Sequence, residues 1–395
     1  MKVVLAFSGG LDTSYCAKYL SADLGYEVFA VTVNTGGFTK EDQGKLEQKA
    51  LGLGVKEYHF LDRTSEFYQK GIKYLLFGNV LKNNTYPLSV SAERVFQGLA
   101  IAEFANTLGA QAIAHGSTGA GNDQIRFDLV FQTLCSGMEI ITPIRDQSLS
   151  REAEIQYLKS HGVEANWEKA QYSINQGLWG TSVGGKETLT AHLPLPEAAY
   201  PSQLEITESQ TVSIHFEKGE PVAMNGETGN PVQIIQQLNK LASGYAIGRD
   251  IHVGDTIIGI KGRVGFEAAA SLVLIKAHHQ LEKHVLSKHQ LFIKDQLAQW
   301  YGNLMHEGQY LDPVMRDMEA FLVSSQAAVT GTVHVRLAPY RFIVEGIESE
   351  NDLMQSSFGQ YGEMNTGWSA QDARGFAKVF ANQTKLYHSV HHGKN

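Results

Sequence analysis

The stretch Ser8-Gly9-Gly10-Leu11-Asp12-Thr13-Ser14 constrains this chain more than any other. Ahead of it, Val3-Val4-Leu5-Ala6-Phe7 is an apolar run of β-forming residues, as in a strand buried on both faces. Behind it, Tyr15, Lys18, Tyr19 and Leu20 continue a helical period that Gly25 ends. The seven residues are therefore predicted to lie on a strand-to-helix turn. Such a turn presents unpaired N–H groups and the positive end of a helix dipole, which together hold an anion. Gly9 and Gly10 let the backbone bend and let a phosphate approach, while Ser8, Thr13 and Ser14 add hydroxyl donors. Asp12 is the odd member, because a carboxylate beside a phosphate repels it unless a cation lies between. It is read as a contact to phosphate-bound Mg2+, a hard ion that prefers oxygen ligands. The plain alternative is a glycine-bearing turn with no ligand, and the full motif in its strand–helix context outweighs it.

Strand and helix alternate from there to about residue 165. Strands are predicted at 27–33, 57–61, 112–114 and 140–141, and helices at 40–53, 66–77, 92–108, 125–134 and 150–161. This is an α/β pattern, giving a doubly wound parallel sheet whose ligands bind beyond the C-terminal strand ends. The turn at 8–14, Val33 and His115-Gly116 converge there. Past residue 166 the pattern changes to an α+β mixture, with strands expected at 212–216, 256–260, 332–336 and 341–344. The longest helix is expected over 270–306, and a C-terminal helix over 371–387. Three parts follow: a nucleotide-binding domain over 1–168, an α+β domain over 169–368, and a C-terminal helix with tail over 369–395. His278, His279, His284 and His289 share no helical face and are expected at the surface; the histidines of 388–392 are expected in a frayed tail.

A chain of 395 residues has room for two cores. Its net charge of −8 argues against a large nucleic-acid footprint and against an anionic membrane surface. Cys16 and Cys135 lack a Cys-x-x-Cys spacing and read as core thiols of a reduced compartment. The sequence opens straight into a strand with no basic-apolar leader, and no apolar stretch reaches the ~18–20 residues a membrane span requires. The expected location is cytoplasmic.

A second glycine loop, His115-Gly116-Ser117-Thr118-Gly119-Ala120-Gly121-Asn122-Asp123-Gln124-Ile125-Arg126-Phe127, leaves one strand and enters a helix. Thr118, Asn122, Asp123 and Arg126 are four groups able to fix a charged small molecule. Asn122 or Asp123 also suits a helix N-cap, which leaves Arg126 unexplained.

The first loop is not a Walker A loop, since no Gly-Lys-Ser/Thr follows. It resembles the pyrophosphate loop of the ATP pyrophosphatases, which cut between the α- and β-phosphates and leave AMP on a substrate. Together with Tyr172-Ser173-Ile174 and Ser182, the two loops make the chain resemble the argininosuccinate synthase family. Weaker similarity continues through Val222-Ala223-Met224-Asn225-Gly226, Gly259-Ile260-Lys261-Gly262-Arg263 and 372–378. The resemblance implies an AMP-forming ligase that joins citrulline to aspartate through citrullyl-AMP, using ATP and Mg2+, as a homotetramer. It places ATP on Ala6, Phe7, Ser8, Gly9, Gly10, Leu11, Asp12, Thr13, Ser14, Val33 and Gly116, and aspartate on Thr118, Asn122 and Asp123. Citrulline falls to Tyr86, Ser91, Asn122, Arg126, Ser173 and Ser182, with Asp12 and Asp123 as the catalytic carboxylates. The pattern departs at Gly254 and Phe266, where the family has a Glu and a Tyr facing citrulline. That departure keeps open an Nα-acylated citrulline as substrate. A tRNA-modifying ligase, which calls for a basic face, and a non-catalytic nucleotide-binding module compete with this reading.

Overall fold

The computed structural model describes residues 1–163, 172–356, 361–363 and 367–393. The chain divides into two units, residues 1–350 and 351–395. The boundary expected between residues 168 and 169 lies outside the described residues.

In the first unit, strands β1 (Lys2–Ala6), β2 (Glu27–Asn34) and β3 (Glu57–Asp62) are joined by helices α1 (Leu11–Lys18) and α2 (Lys40–Gly52). Helix α3 (Ser89–Leu108) leads to β4 (Ala112–Ala114), α4 (Asp123–Leu134) to β5 (Glu139–Ile141), and α5 (Arg151–Ser160) follows. The five strands form one sheet, all parallel, in the order β3-β2-β1-β4-β5. Its strands are apolar on both faces because helices cover both. Val3 and Leu5 face a core with Leu11, Cys16 and Leu158; Val4 and Ala6 face one with Ile101, Val130 and Phe131. The strand order reverses between β1 and β4, so the crevice beyond their C-terminal ends is where such a sheet binds a ligand.

The rest of the unit is antiparallel. Strands β6 (Ser173–Gly177), β7 (Gly180–Gly184), β11 (Arg249–Asp255) and β12 (Lys261–Glu267) form a sheet ordered β11-β12-β7-β6. Strands β8 (Gln210–Glu217), β9 (Glu220–Met224), β10 (Glu227–Thr228), β13 (Gly331–Ala338) and β14 (Arg341–Glu348) form another, ordered β10-β9-β8-β13-β14. Helices α6 (Pro231–Ser243), α7 (Ala269–Val285), α8 (Lys288–His306) and α9 (Val314–Ser325) complete it. A shared core runs through Trp179, Phe216, Phe266, Leu274 and Tyr301.

Four local expectations are corrected. Residues 256–260 form no strand: they are the β11–β12 turn, closed by Thr256 N–H on the Ile260 carbonyl at 2.7 Å. The helix expected over 270–306 is two helices. Leu286 is extended (ψ 147°), and Ser287 starts α8 through a capping box with Gln290. His278 is fully buried, its ring nitrogens 2.7 Å from Asn79 Oδ1 and 2.8 Å from Gln326 Oε1. The region at 66–77 starts at Thr64 and contains a π turn, Tyr68–Ile72.

In the second unit, Ala370–Phe380 and Asn382–His392 are helices α10 and α11. The terminal histidines lie on α11 rather than in a frayed tail. Cys16 and Cys135 are free and buried. Among the described residues no helix is long and apolar enough to cross a membrane.

Candidate active site

At the end of β1 the chain turns through Gly9, whose φ of +73° suits glycine and where a Cβ would lie 2.4 Å from Leu46 Cδ2. Lys49 Nζ donates to the Gly9 carbonyl at 2.5 Å. Helix α1 then begins behind Gly10 without a side-chain cap, so its first-turn N–H groups face the turn unclaimed by a cap. The Ser14 hydroxyl is buried and donates to the Gly10 carbonyl at 2.6 Å. Ser8 Oγ and Thr13 Oγ1 lie 3.3 Å apart. Asp12 shares a hydrogen bond with Glu154 of α5. Burial pushes both carboxyls up, Glu154 to about 8, and Glu154 Oε2 has no partner.

The second loop rests directly on the first. A Cβ at Gly116 would lie 3.2 Å from the Asp12 carbonyl carbon and the Thr13 nitrogen, so glycine is what allows the loops this close. Ser117 N–H donates to His115 Nδ1 at 3.2 Å, which leaves Nε2–H to donate to Asp128 at 3.0 Å. Gln124 Nε2 donates to the Gly119 and Gly121 carbonyls. Asn122 sits at the N-cap but makes no side-chain cap bond; its Oδ1 accepts from Ile257 N–H at 2.8 Å, pinning the β11–β12 turn. Asp123, the first residue of α4, accepts from Arg94 Nε at 3.0 Å and from an Arg126 terminal nitrogen at 2.9 Å. Burial opposes its charge, but the two guanidiniums outweigh burial and hold the carboxyl below the usual range.

Both loops open on one cleft of about 970 Å³. Ala6, Phe7, Ser8, Gly10, Leu11, Asp12, Thr13, Val33 and Gly116 line one end; Gly9 and Ser14 brace the turn from behind. Thr118, Asn122, Asp123 and Arg126 also line it, as do Tyr86, Ser91, Ser173 and Ser182. Arg126 is largely committed to the protein: Nε donates to the His306 carbonyl at 2.9 Å and one terminal nitrogen to Ser91 Oγ at 3.1 Å. Tyr86 is buried, its hydroxyl accepting from Val90 N–H, and its ring packs 5.4 Å from Phe266. Phe266 pairs with Ser182 across β12 and β7, and is fully buried rather than lining the cleft; Gly254 does line it.

Sequence reasoning missed Glu93, Arg94, His252 and His306, all of which line the cleft. Ser91, Arg94 and Gln97 recur every three residues on α3, a polar stripe beside the buried Val90, Ala92, Val95 and Phe96 and the local signal for Arg94. Glu93 stands next to Arg94 on α3, while His252 and His306 arrive through tertiary folding from β11 and the end of α8.

Two family descriptions match the chain: arginosuccinate synthase N-terminal HUP domain over residues 2–164, and arginosuccinate synthase C-terminal domain over residues 172–387. A protein named argininosuccinate synthase from Dictyoglomus turgidum is 37% identical over 396 residues, spanning 100% of this chain and 99% of its own length. Its namesake from Methanocaldococcus jannaschii is 36% identical across 97% of each chain. The one from Pyrococcus furiosus is 35% identical across 100% of this chain and 96% of its own. The two loops, their parallel sheet and the full-length likeness agree: this chain belongs to the argininosuccinate synthase family.

Proposed function

We propose that this chain uses ATP to join citrulline to aspartate, releasing AMP and pyrophosphate and forming argininosuccinate. The observation that carries this is the contact of the two glycine loops at Gly116, which opens the phosphate turn and the polar groups around Asp123 and Arg126 onto one cleft. A neutral ureido oxygen is a weak nucleophile, so the site must hold it in line with the α-phosphorus and stabilise the leaving pyrophosphate. The uncapped start of α1, with Ser8 and Thr13, suits the second task. As the oxygen–phosphorus bond forms, the bond to the β-phosphate oxygen breaks and citrullyl-AMP results. The aspartate amine, after losing a proton, attacks the activated carbon and AMP departs. Thr118, Asn122 and Asp123 are proposed to hold aspartate, and Tyr86, Ser91, Asn122, Arg126, Ser173 and Ser182 citrulline.

Among the described residues no three His, Cys, Asp or Glu side chains stand close enough to hold a metal by themselves. A magnesium ion would be carried here on the nucleotide's phosphates, with Asp12 as the protein's contact, and there it would neutralise phosphate charge. The second unit supports a homotetramer: Phe376, Val379 and Phe380 on α10, and Leu386, Tyr387 and Val390 on α11, are exposed apolar residues at helical spacing. The two free cysteines suit a reduced, cytoplasmic setting.

The test is product analysis by mass spectrometry with citrulline, aspartate and ATP-Mg, omitting each in turn. Argininosuccinate and pyrophosphate in equal amounts are expected; argininosuccinate is lost on any omission, and without aspartate pyrophosphate is limited to about one equivalent per site. Pyrophosphate release that depends on a tRNA instead overturns the proposal.

A further inference from the structure

The citrulline end of the cleft is walled by two imidazoles. Arg126 donates toward His306 Nδ1 at 3.3 Å, and Ser91 Oγ lies 3.1 Å from the same nitrogen. An arginine only donates, so Nδ1 carries no proton and accepts. Burial, then the nearby charges of Arg126 and Lys82, push this histidine down to about 3, so the ring is neutral. A neutral ring has one proton, and here it sits on Nε2. That Nε2–H is buried and no acceptor meets it at hydrogen-bond geometry; the Asp255 backbone acts on the ring more weakly than the charges of Arg126 and Lys82. His306 is 5% exposed and lines the cleft. A buried donor is left unsatisfied only at a cost of about 1–3 kcal/mol, which a ligand acceptor removes.

His252 repeats the pattern. It is buried, lines the cleft, stacks 5.2 Å from Tyr86, and its Nδ1 has no partner. Its ring also accounts for Gly254, two residues along on the same face of β11. A Cβ at 254 would lie 2.6 Å from His252 Nε2 and 3.3 Å from Asn83 Nδ2. The imidazole fills the place where the family pattern has a carboxylate. Of the four carboxylates lining the cleft, Asp12 pairs with Glu154, Asp123 with Arg94 and Arg126, and Asp255 with Lys261; Glu93 accepts from Thr35 through Oε1 and leaves Oε2 without a hydrogen-bond partner, and its burial favours the protonated, uncharged form.

We infer that His306, with His252 beside it, forms a neutral donor subsite that binds an oxygen acceptor of the amino-acid substrate, the α-carboxylate of citrulline, in place of an acidic wall binding its ammonium. This rests on the ligase activity proposed above. His306 is thereby a specificity-determining residue that touches substrate.

His306→Asn is the discriminating variant. Its amide oxygen keeps the acceptor that Arg126 and Ser91 face, and only the Nε2–H is lost. Steady-state kinetics on the full chain should show KM for citrulline raised roughly ten- to hundred-fold, the span of one hydrogen bond to a charged group. KM for ATP and for aspartate should stay unchanged, a split that a merely structural role does not give. With citrullinamide, whose carboxylate is neutralised, the gap between native chain and variant should close. With Nα-acetylcitrulline, a gap larger than with citrulline assigns the bound oxygen to the acyl carbonyl and still supports the donor subsite. Equal gaps for citrulline and citrullinamide, or a variant equal to the native chain on every substrate, overturn it. His252→Gln, which removes Nδ1 while keeping a polar group at the end of the side chain, guards against a folding defect in the first variant and should raise KM for citrulline while leaving KM for ATP and aspartate unchanged. Turnover of citrulline by the native chain tests the ligase activity separately, so the two failures are distinguishable.

Discussion

Replacing Asp123 by alanine strands two guanidiniums at once. Arg126 and Arg94 are 4% and 13% exposed in their side chains, and each spends a donor on this one carboxylate, at 2.9 and 3.0 Å. Removing one partner of a fully buried pair costs about 3–5 kcal/mol, mostly through the charge left behind. Asp123 itself is 36% exposed, so water enters when it leaves and offsets part of that. A cost of about 2–3 kcal/mol is expected for Asp123→Ala, and about half that for Asp123→Asn, which keeps an acceptor for one arginine. Urea unfolding of the ligand-free chain, followed by circular dichroism with the slope held common, measures both. Asp123→Asn should still release pyrophosphate from citrulline and ATP, while forming little product from aspartate. An alanine variant within about 0.5 kcal/mol of the native chain refutes the ion-pair reasoning. Loss of the first half-reaction in the folded asparagine variant moves Asp123 away from aspartate.

Three further outcomes are expected. Asp12→Asn should slow pyrophosphate release by about 10²–10³, the scale of one charged contact to the transition state, and leave KM for aspartate unchanged; equal damage to both removes Asp12 from the phosphates. Glu93 is buried, and burial raises its carboxyl to about 7 from an ordinary value near 4.5. The folded chain therefore keeps a proton that the unfolded chain loses, and stability falls as pH rises from about 4.5 to 7, by about 3 kcal/mol in all. Glu93→Gln should flatten that slope and be the more stable chain at pH 8 in denaturant titrations; an unchanged slope contradicts the assignment. Deleting residues 368–395 should lower the assembly mass measured by light scattering, and an unchanged tetramer excludes these helices from the assembly.

The strand-to-helix turn at 8–14 was legible because everything that makes it one, the two glycines, three hydroxyls and flanking apolar strand, is contiguous. The parallel sheet followed from alternation alone. Residues 256–260 misled because Ile257, Ile258 and Ile260 carry strand-forming side chains, while the turn is set by Gly259 at φ +86° and the Thr256–Ile260 hydrogen bond. The break at Ser287 was hidden by strong helix formers on both sides, its capping box outweighing propensity. His278 was readable, since it falls four after Leu274 and three before Leu281 on the buried face of α7. The pairing of Asp123 with Arg94, and the tautomer of His306, were not: each depends on residues brought together from elements 29 to 180 positions apart.

The central chemical step is a direct bond between the ureido oxygen of citrulline and the α-phosphorus of ATP. Citrulline carrying heavy oxygen in its ureido group, turned over with ATP-Mg and aspartate, follows that oxygen. Mass spectrometry of the products should find the label in AMP, with argininosuccinate and pyrophosphate unlabelled. Label retained outside AMP, or appearing in pyrophosphate, contradicts attack at the α-phosphorus within this cleft.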